Sequence, residues 1–144
     1  MAIADLSRYL KSFSDSSPSE EKQKELYSEA LLMTLAQASS SDANIHPVEI
    51  ETIQQIMQRQ TGQELTEADI RKAARPQLYG SVYLHKYLRS VRRQLKAEDR
   101  SKIVQGVADV IKSDTQINVL EIDFFYQVAN ALRITLVEPL GLTA

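Results

Sequence analysis

Leu84, Leu88, Val91 and Leu95 recur at spacings of four, three and four, while Lys86, Arg89, Arg93 and Lys96 fall between them. That alternation places an apolar stripe opposite a basic one and predicts a helix over about 77–96. The same periodicity recurs along the chain. Ile3, Leu6, Leu10 and Phe13 predict a short amphipathic helix within residues 1–14, followed by a Ser- and Pro-rich linker at 15–19. Ser17-Pro18-Ser19-Glu20 predicts a helix start with Ser17 as N-cap, Pro18 in the first helical position and Glu20 at N3, running to about Ser40. The later half of that helix, from Leu26 to Ala38, is apolar nearly all round, which predicts a central, buried element. A further helix is expected from Pro47 to about Thr61, with Ile50, Ile53, Ile56 and Met57 inward and Gly62 as its stop. Thr66 to Asp69 opens a short helix ending before Pro76. Two more are expected at about 98–113 and 118–132, and residues 136–144 read as an irregular tail.

The pattern is duplicated. Asp-x-x-Ile-x-x-x-Glu-Ile occurs as Asp42, Ile45, Glu49, Ile50 and again as Asp114, Ile117, Glu121, Ile122, offset by 72 residues throughout. At the same offset Leu31 matches Ile103, Leu35 matches Val107, Ala36 matches Ala108 and Ile56 matches Val128. The fold expected is therefore all-α: a single helical bundle of about six to seven helices built from a duplicated helix–loop–helix. Two copies commonly pack about a pseudo-two-fold axis, each burying the other's apolar face.

Much of the repeated nonapeptide is explained by helix initiation. Asn118 is a good N-cap with Glu121 at N3, and Ile117 with Ile122 forms a hydrophobic staple; His46, Glu49, Ile45 and Ile50 stand in the same frame. Capping leaves the aspartates unexplained. Asp42 and Asp114 follow a helix C-terminus, whose partial negative charge favours cations instead. Three partners would balance them: a basic side chain from 71–102, an Asx turn onto the loop backbone, or a bound cation.

Charge sharpens that choice without deciding it. The net charge is −2, yet residues 71–102 hold ten Lys/Arg against Glu98 and Asp99 alone. Two halves of one fold attracting each other account for this separation more readily than a partner site does. The chain has no cysteine, so thiolate metal sites and disulfides are excluded and a reducing compartment is natural. No apolar run is long enough to span a bilayer, and the N-terminus lacks the pattern of a secretory signal, so a cytoplasmic location is expected.

The doubled Asp-x-x-Ile-x-x-x-Glu loop in an all-helical chain resembles the tellurite-resistance TerB family, and also the TerB-like region of some DnaJ-type membrane co-chaperones. The resemblance covers about residues 20–135, leaving the N-terminal helix, the linker and the tail outside it. It implies a helical bundle in a bacterial cytoplasm, an acidic surface that binds metal ions, and association with other stress-response proteins at the membrane face. Position by position, the implied metal ligands are Asp42, Glu49, Asp114 and Glu121. Ala43 and Thr115 stand where the family has Gly, and Ser41 and Ser113 where it has Ala. Carboxylate, hydroxyl and carbonyl oxygens suit Ca²⁺, Mg²⁺ or Mn²⁺. The spacing is not that of an EF-hand, and His46 and His85 alone make zinc a poor match.

The basic helix offers a second chemistry. Tyr79, Tyr83 and Tyr87 form a strip beside the core stripe, and Lys86, Arg89, Arg93 and Lys96 could meet an acidic partner or phosphates. A solvated face bordering the core explains the same residues, and a pI near 5.7 disfavours nucleic acid. No nucleophile elbow, phosphate-cradling loop or histidine relay is present, so no enzyme is expected. The N-terminal segment could rest on a membrane surface or dock on a partner; its shortness favours packing on the domain or on a second copy in a homodimer. The function expected is a non-enzymatic interaction module of TerB type with other proteins as partners, able to take a divalent cation; the alternative is an anion- or nucleic-acid-binding domain using 78–96.

Overall fold

The computed structural model describes residues 19–39, 47–74, 80–113 and 119–135, with backbone alone at 81–83. The N-terminal amphipathic segment, most of the linker, both aspartate loops and the tail lie outside those residues. Among the described residues the chain is all-α: α1 (Glu20–Ser39), α2 (Pro47–Thr61), α3 (Glu67–Ala73), α4 (Gly80–Val91), a 3-10 turn (Arg92–Gln94), α5 (Ala97–Ser113) and α6 (Val119–Ala131).

Local chemistry sets the helix ends. Ser19, not Ser17, caps α1: the Lys22 N–H donates to Ser19 Oγ at 3.2 Å, and the Gln23 N–H to the Ser19 carbonyl at 3.0 Å. Two serines two residues apart offer the same cap, and the expected start is therefore displaced by one short step. Thr66 and Asp69 form the full reciprocal capping box of α3, at 3.1 and 3.0 Å. The Thr66 backbone N–H, and then its hydroxyl, hold the Asp69 carboxyl below the usual carboxylate range. At the end of α2, Gly62 turns left-handed at φ 76 and its N–H reaches the Gln58 carbonyl at 3.0 Å.

The basic helix stops sooner than its periodicity predicts. The chain tightens into the 3-10 turn and Leu95 becomes extended, so α5 begins afresh at Ala97. No Gly or Pro marks this break. Leu95 still reaches the core, because the turn swings it back toward the stripe formed by Leu84, Leu88 and Val91. The Gln23 amide secures the turn by donating to the Gln94 carbonyl at 3.3 Å.

The core sits around α1, which packs against α2, α3, α4, α5 and α6 and buries every residue from Thr34 to Ser39. Its largest neighbour is α5, its equivalent in the repeat. Each of these two helices also contacts its own following helix and that of the other copy, as expected for two hairpins related by a pseudo-two-fold axis. The register agrees: α2 and α6 start 72 residues apart, at Pro47 and Val119. Leu31 and Ile103, Leu35 and Val107, Ile53 and Phe125, and Ile56 and Val128 are all buried pairs. Ile122 is less enclosed than its counterpart Ile50. At the α1–α5 contact Gly106 lets the helices close, since a Cβ there would lie 3.0 Å from Leu35 Cδ2 and 3.6 Å from Leu31 Cδ1.

Candidate functional site

Glu49 and Glu121 occupy the third position of α2 and α6, where a carboxylate faces the unpaired N–H groups of a helix start. Capping alone would leave such residues at the surface. Instead Glu49 is 3% exposed and Glu121 4%. Carboxylates are almost never enclosed to this degree without hydrogen bonds or counter-charge. Both make interactions within the fold. The duplication therefore preserves an enclosed acid as well as a helix start.

The residues that precede them, Asp42 and Asp114, lie outside the described residues, as do Ala43, His46, Thr115 and Asn118. At the edge of the second loop, Ser113 donates its hydroxyl to the Val110 carbonyl at 2.6 Å. That bond is the local alternative to a ligand role, although the oxygen keeps acceptor capacity. Among the described residues no three His, Cys, Asp or Glu side chains gather into a metal-holding group. The described part of each repeat thus holds one enclosed carboxylate, Glu49 or Glu121, and the loops at 40–46 and 114–118 lie outside the described residues. α2 and α6 pack on the central pair rather than extensively on each other.

Lys86, Arg89, Arg93 and Lys96 are all exposed, as the stripe predicts. Tyr87 is buried in the core rather than laid beside it, so it offers no face to a stacking base. Tyr79 and the Tyr83 side chain lie outside the described residues. Arg92, between two of the exposed cations, is half-buried, and its Nη1 donates to the Ala131 carbonyl at 3.1 Å. Arg100 Nη1 donates to the Leu132 carbonyl at 2.9 Å. Together they satisfy the last carbonyls of α6, where cations are favoured. Periodicity assigns these two arginines no role, because their acceptors are 39 and 32 residues away along the chain.

Several polar groups are enclosed without hydrogen-bond partners among the described residues. The Tyr27 hydroxyl is one, and burial, then Asp99 and Glu98, push its pKa up to about 12. Asp99 is itself raised, chiefly by burial. Both ring nitrogens of His85 are also enclosed and unbonded, with the ring 6.3 Å from that of Phe124.

An all-α domain made of two helix–loop–helix copies, each with a buried glutamate after its loop, defines the class of protein. The family model for tellurite resistance protein TerB matches residues 28–138, and the chain belongs to that family. No curated protein and no solved structure matches it. No described helix is long and apolar enough to cross a membrane.

Proposed function

We propose that this chain is a non-enzymatic interaction module of a bacterial stress response, and that its two Asp/Glu loops take a divalent cation. The observation that carries this reading is the matched burial of Glu49 and Glu121 next to loops that each hold an aspartate. Carboxylates seven residues apart in each copy would repel each other if drawn together, and a hard cation would relieve that repulsion while tying the loop to the following helix. Val48 and Leu120, equivalent in the two copies, are exposed at 43% and 62% beside those acids. They would give a protein partner apolar contact at the place the cation orders, which supports an adaptor role over catalysis. The ligand set proposed is Asp42 with Glu49 and Asp114 with Glu121.

Thermal melting with millimolar Ca²⁺, Mg²⁺ or Mn²⁺ tests this. A rise in Tm with at least one ion is expected, and Asp42→Asn together with Asp114→Asn should abolish it. If no ion raises the wild-type Tm, helix capping and loop hydrogen bonds suffice for the whole motif and the cation role fails.

A further inference from the structure

The end of α6 gathers more positive charge than capping requires. Arg92 and Arg100 each spend one guanidinium N–H on a terminal carbonyl, at 3.1 and 2.9 Å, and each has five to give. Arg133 follows directly, and Arg89 and Arg93 flank Arg92 in the chain, one helical turn before it and one residue after. Arg89, Arg93 and Arg133 are exposed. Among the described residues, none of the five takes part in an ion pair. The Arg100 Nε is enclosed and has no acceptor among the described residues.

Arg133 adds an independent sign. It occupies the C′ position of a Schellman turn, with the Ile134 N–H donating to the Ala129 carbonyl at 2.9 Å and the Arg133 N–H to the Asn130 carbonyl at 3.1 Å. Its φ is 55, a left-handed conformation that favours glycine, and glycine is what closes α2 at Gly62. Retaining a bulky cation at a strained position suggests that the side chain itself is used. Burial, and then the guanidiniums of Arg133, Arg93, Arg89 and Arg100, lower the pKa of Arg92, so the other four act on Arg92 as like charges.

We propose that Arg89, Arg92, Arg93, Arg100 and Arg133, gathered at the C-terminal end of α6, form a binding site for a small anion carrying several phosphate groups. Planar guanidiniums bind phosphate oxygens through paired, charge-assisted hydrogen bonds. Arg92 and Arg100 converge on two consecutive carbonyls directly before Arg133, a focus that fits a small anion better than an extended polymer. The burial of Tyr87 removes a platform for bases, and the acidic remainder of the chain would repel a long polyanion.

Tripolyphosphate, titrated calorimetrically at fixed ionic strength in buffer free of divalent cations, is the probe. Saturable binding to the full chain is expected. Arg93→Gln with Arg133→Gly should weaken it at least about tenfold, given the usual strength of charge-assisted bonds. The same two charges removed elsewhere, by Arg59→Gln with Arg71→Gln, should leave it nearly intact. Arg133→Gly relieves the left-handed strain, so a melting curve no lower than wild type separates lost binding from lost folding. Absence of saturable binding, or equal weakening by both double variants, overturns the proposal. So does binding to anionic phospholipid vesicles or an oligonucleotide with none to tripolyphosphate. Asp42→Asn with Asp114→Asn should bind the probe as wild type does, so this site and the cation reading stand or fall separately.

Discussion

Replacing Tyr27 by Phe should stabilise this protein, and by an amount that depends on pH. The side chain is 6% exposed, and its hydroxyl is enclosed without a hydrogen-bond partner among the described residues. A buried polar group left unsatisfied costs about 1–3 kcal/mol, and the small gap left by losing one oxygen returns part of that. A net gain of about 1 kcal/mol at pH 7 follows, equivalent to a Tm about 3 °C higher for a chain of this size. The alkaline arm has a definite sign. Burial, then Asp99 and Glu98, raise the folded-state pKa from 10.0 to about 12. The folded chain thus holds this proton more tightly, so the wild type keeps its full stability below pH 10 and loses it as pH rises toward 12. A two-unit gap is worth up to about 2.7 kcal/mol, of which about half is lost by pH 11. Tyr27→Phe escapes that loss, so its advantage over wild type should grow from about 1 to about 2.4 kcal/mol between pH 7 and pH 11. Urea unfolding of both proteins at the two pH values measures it, because every other titrating group cancels in the difference. A variant less stable than wild type at pH 7, with an advantage that does not grow by pH 11, would mean that the hydroxyl has a partner and the reasoning is wrong.

Gly106→Leu should destabilise by about 2–3 kcal/mol through overpacking, because the first carbon added already lies 3.0 Å from Leu35 Cδ2; urea unfolding would expose the error if the loss were under half that. Gly106→Ala should be far milder, since the gain in helix propensity of about 1 kcal/mol offsets a small displacement of Leu35. Arg133→Gly should stabilise by about 1 kcal/mol by releasing the left-handed strain at φ 55, and a loss of stability would show that the arginine side chain holds the turn.

How much was legible in the sequence varied with how local the determining chemistry is. Pro47, Gly62 and the Thr66–Asp69 pair bound their helices where the pattern places them, because each acts through neighbours within four residues. The duplicated apolar positions foretell the α1–α5 core for the same reason: period and offset are visible in one dimension. Ser19 displaced Ser17 because two serines offered equivalent caps and only the backbone path chose between them. The break at Leu95 has no Gly or Pro to announce it, and the left-handed turn at Arg133 uses a residue that disfavours it. Non-local partners were illegible altogether. Arg92 and Arg100 reach carbonyls of α6 from the other side of a helix and a loop. For the candidate cation site, the sequence identifies Glu49 and Glu121 as helix-start residues, but their burial depends on which helices cover them.

Paramagnetic broadening by Mn²⁺ in a ¹H–¹⁵N correlation spectrum tests the central claim most directly, since it locates an ion without any appeal to stability. The amides of Val48 to Ile50 and of Leu120 to Ile122 should broaden first and at comparable concentrations, well before those around Asp69 or Asp109. Uniform broadening across all exposed acids, with no preference for the two repeated loops, would contradict the account.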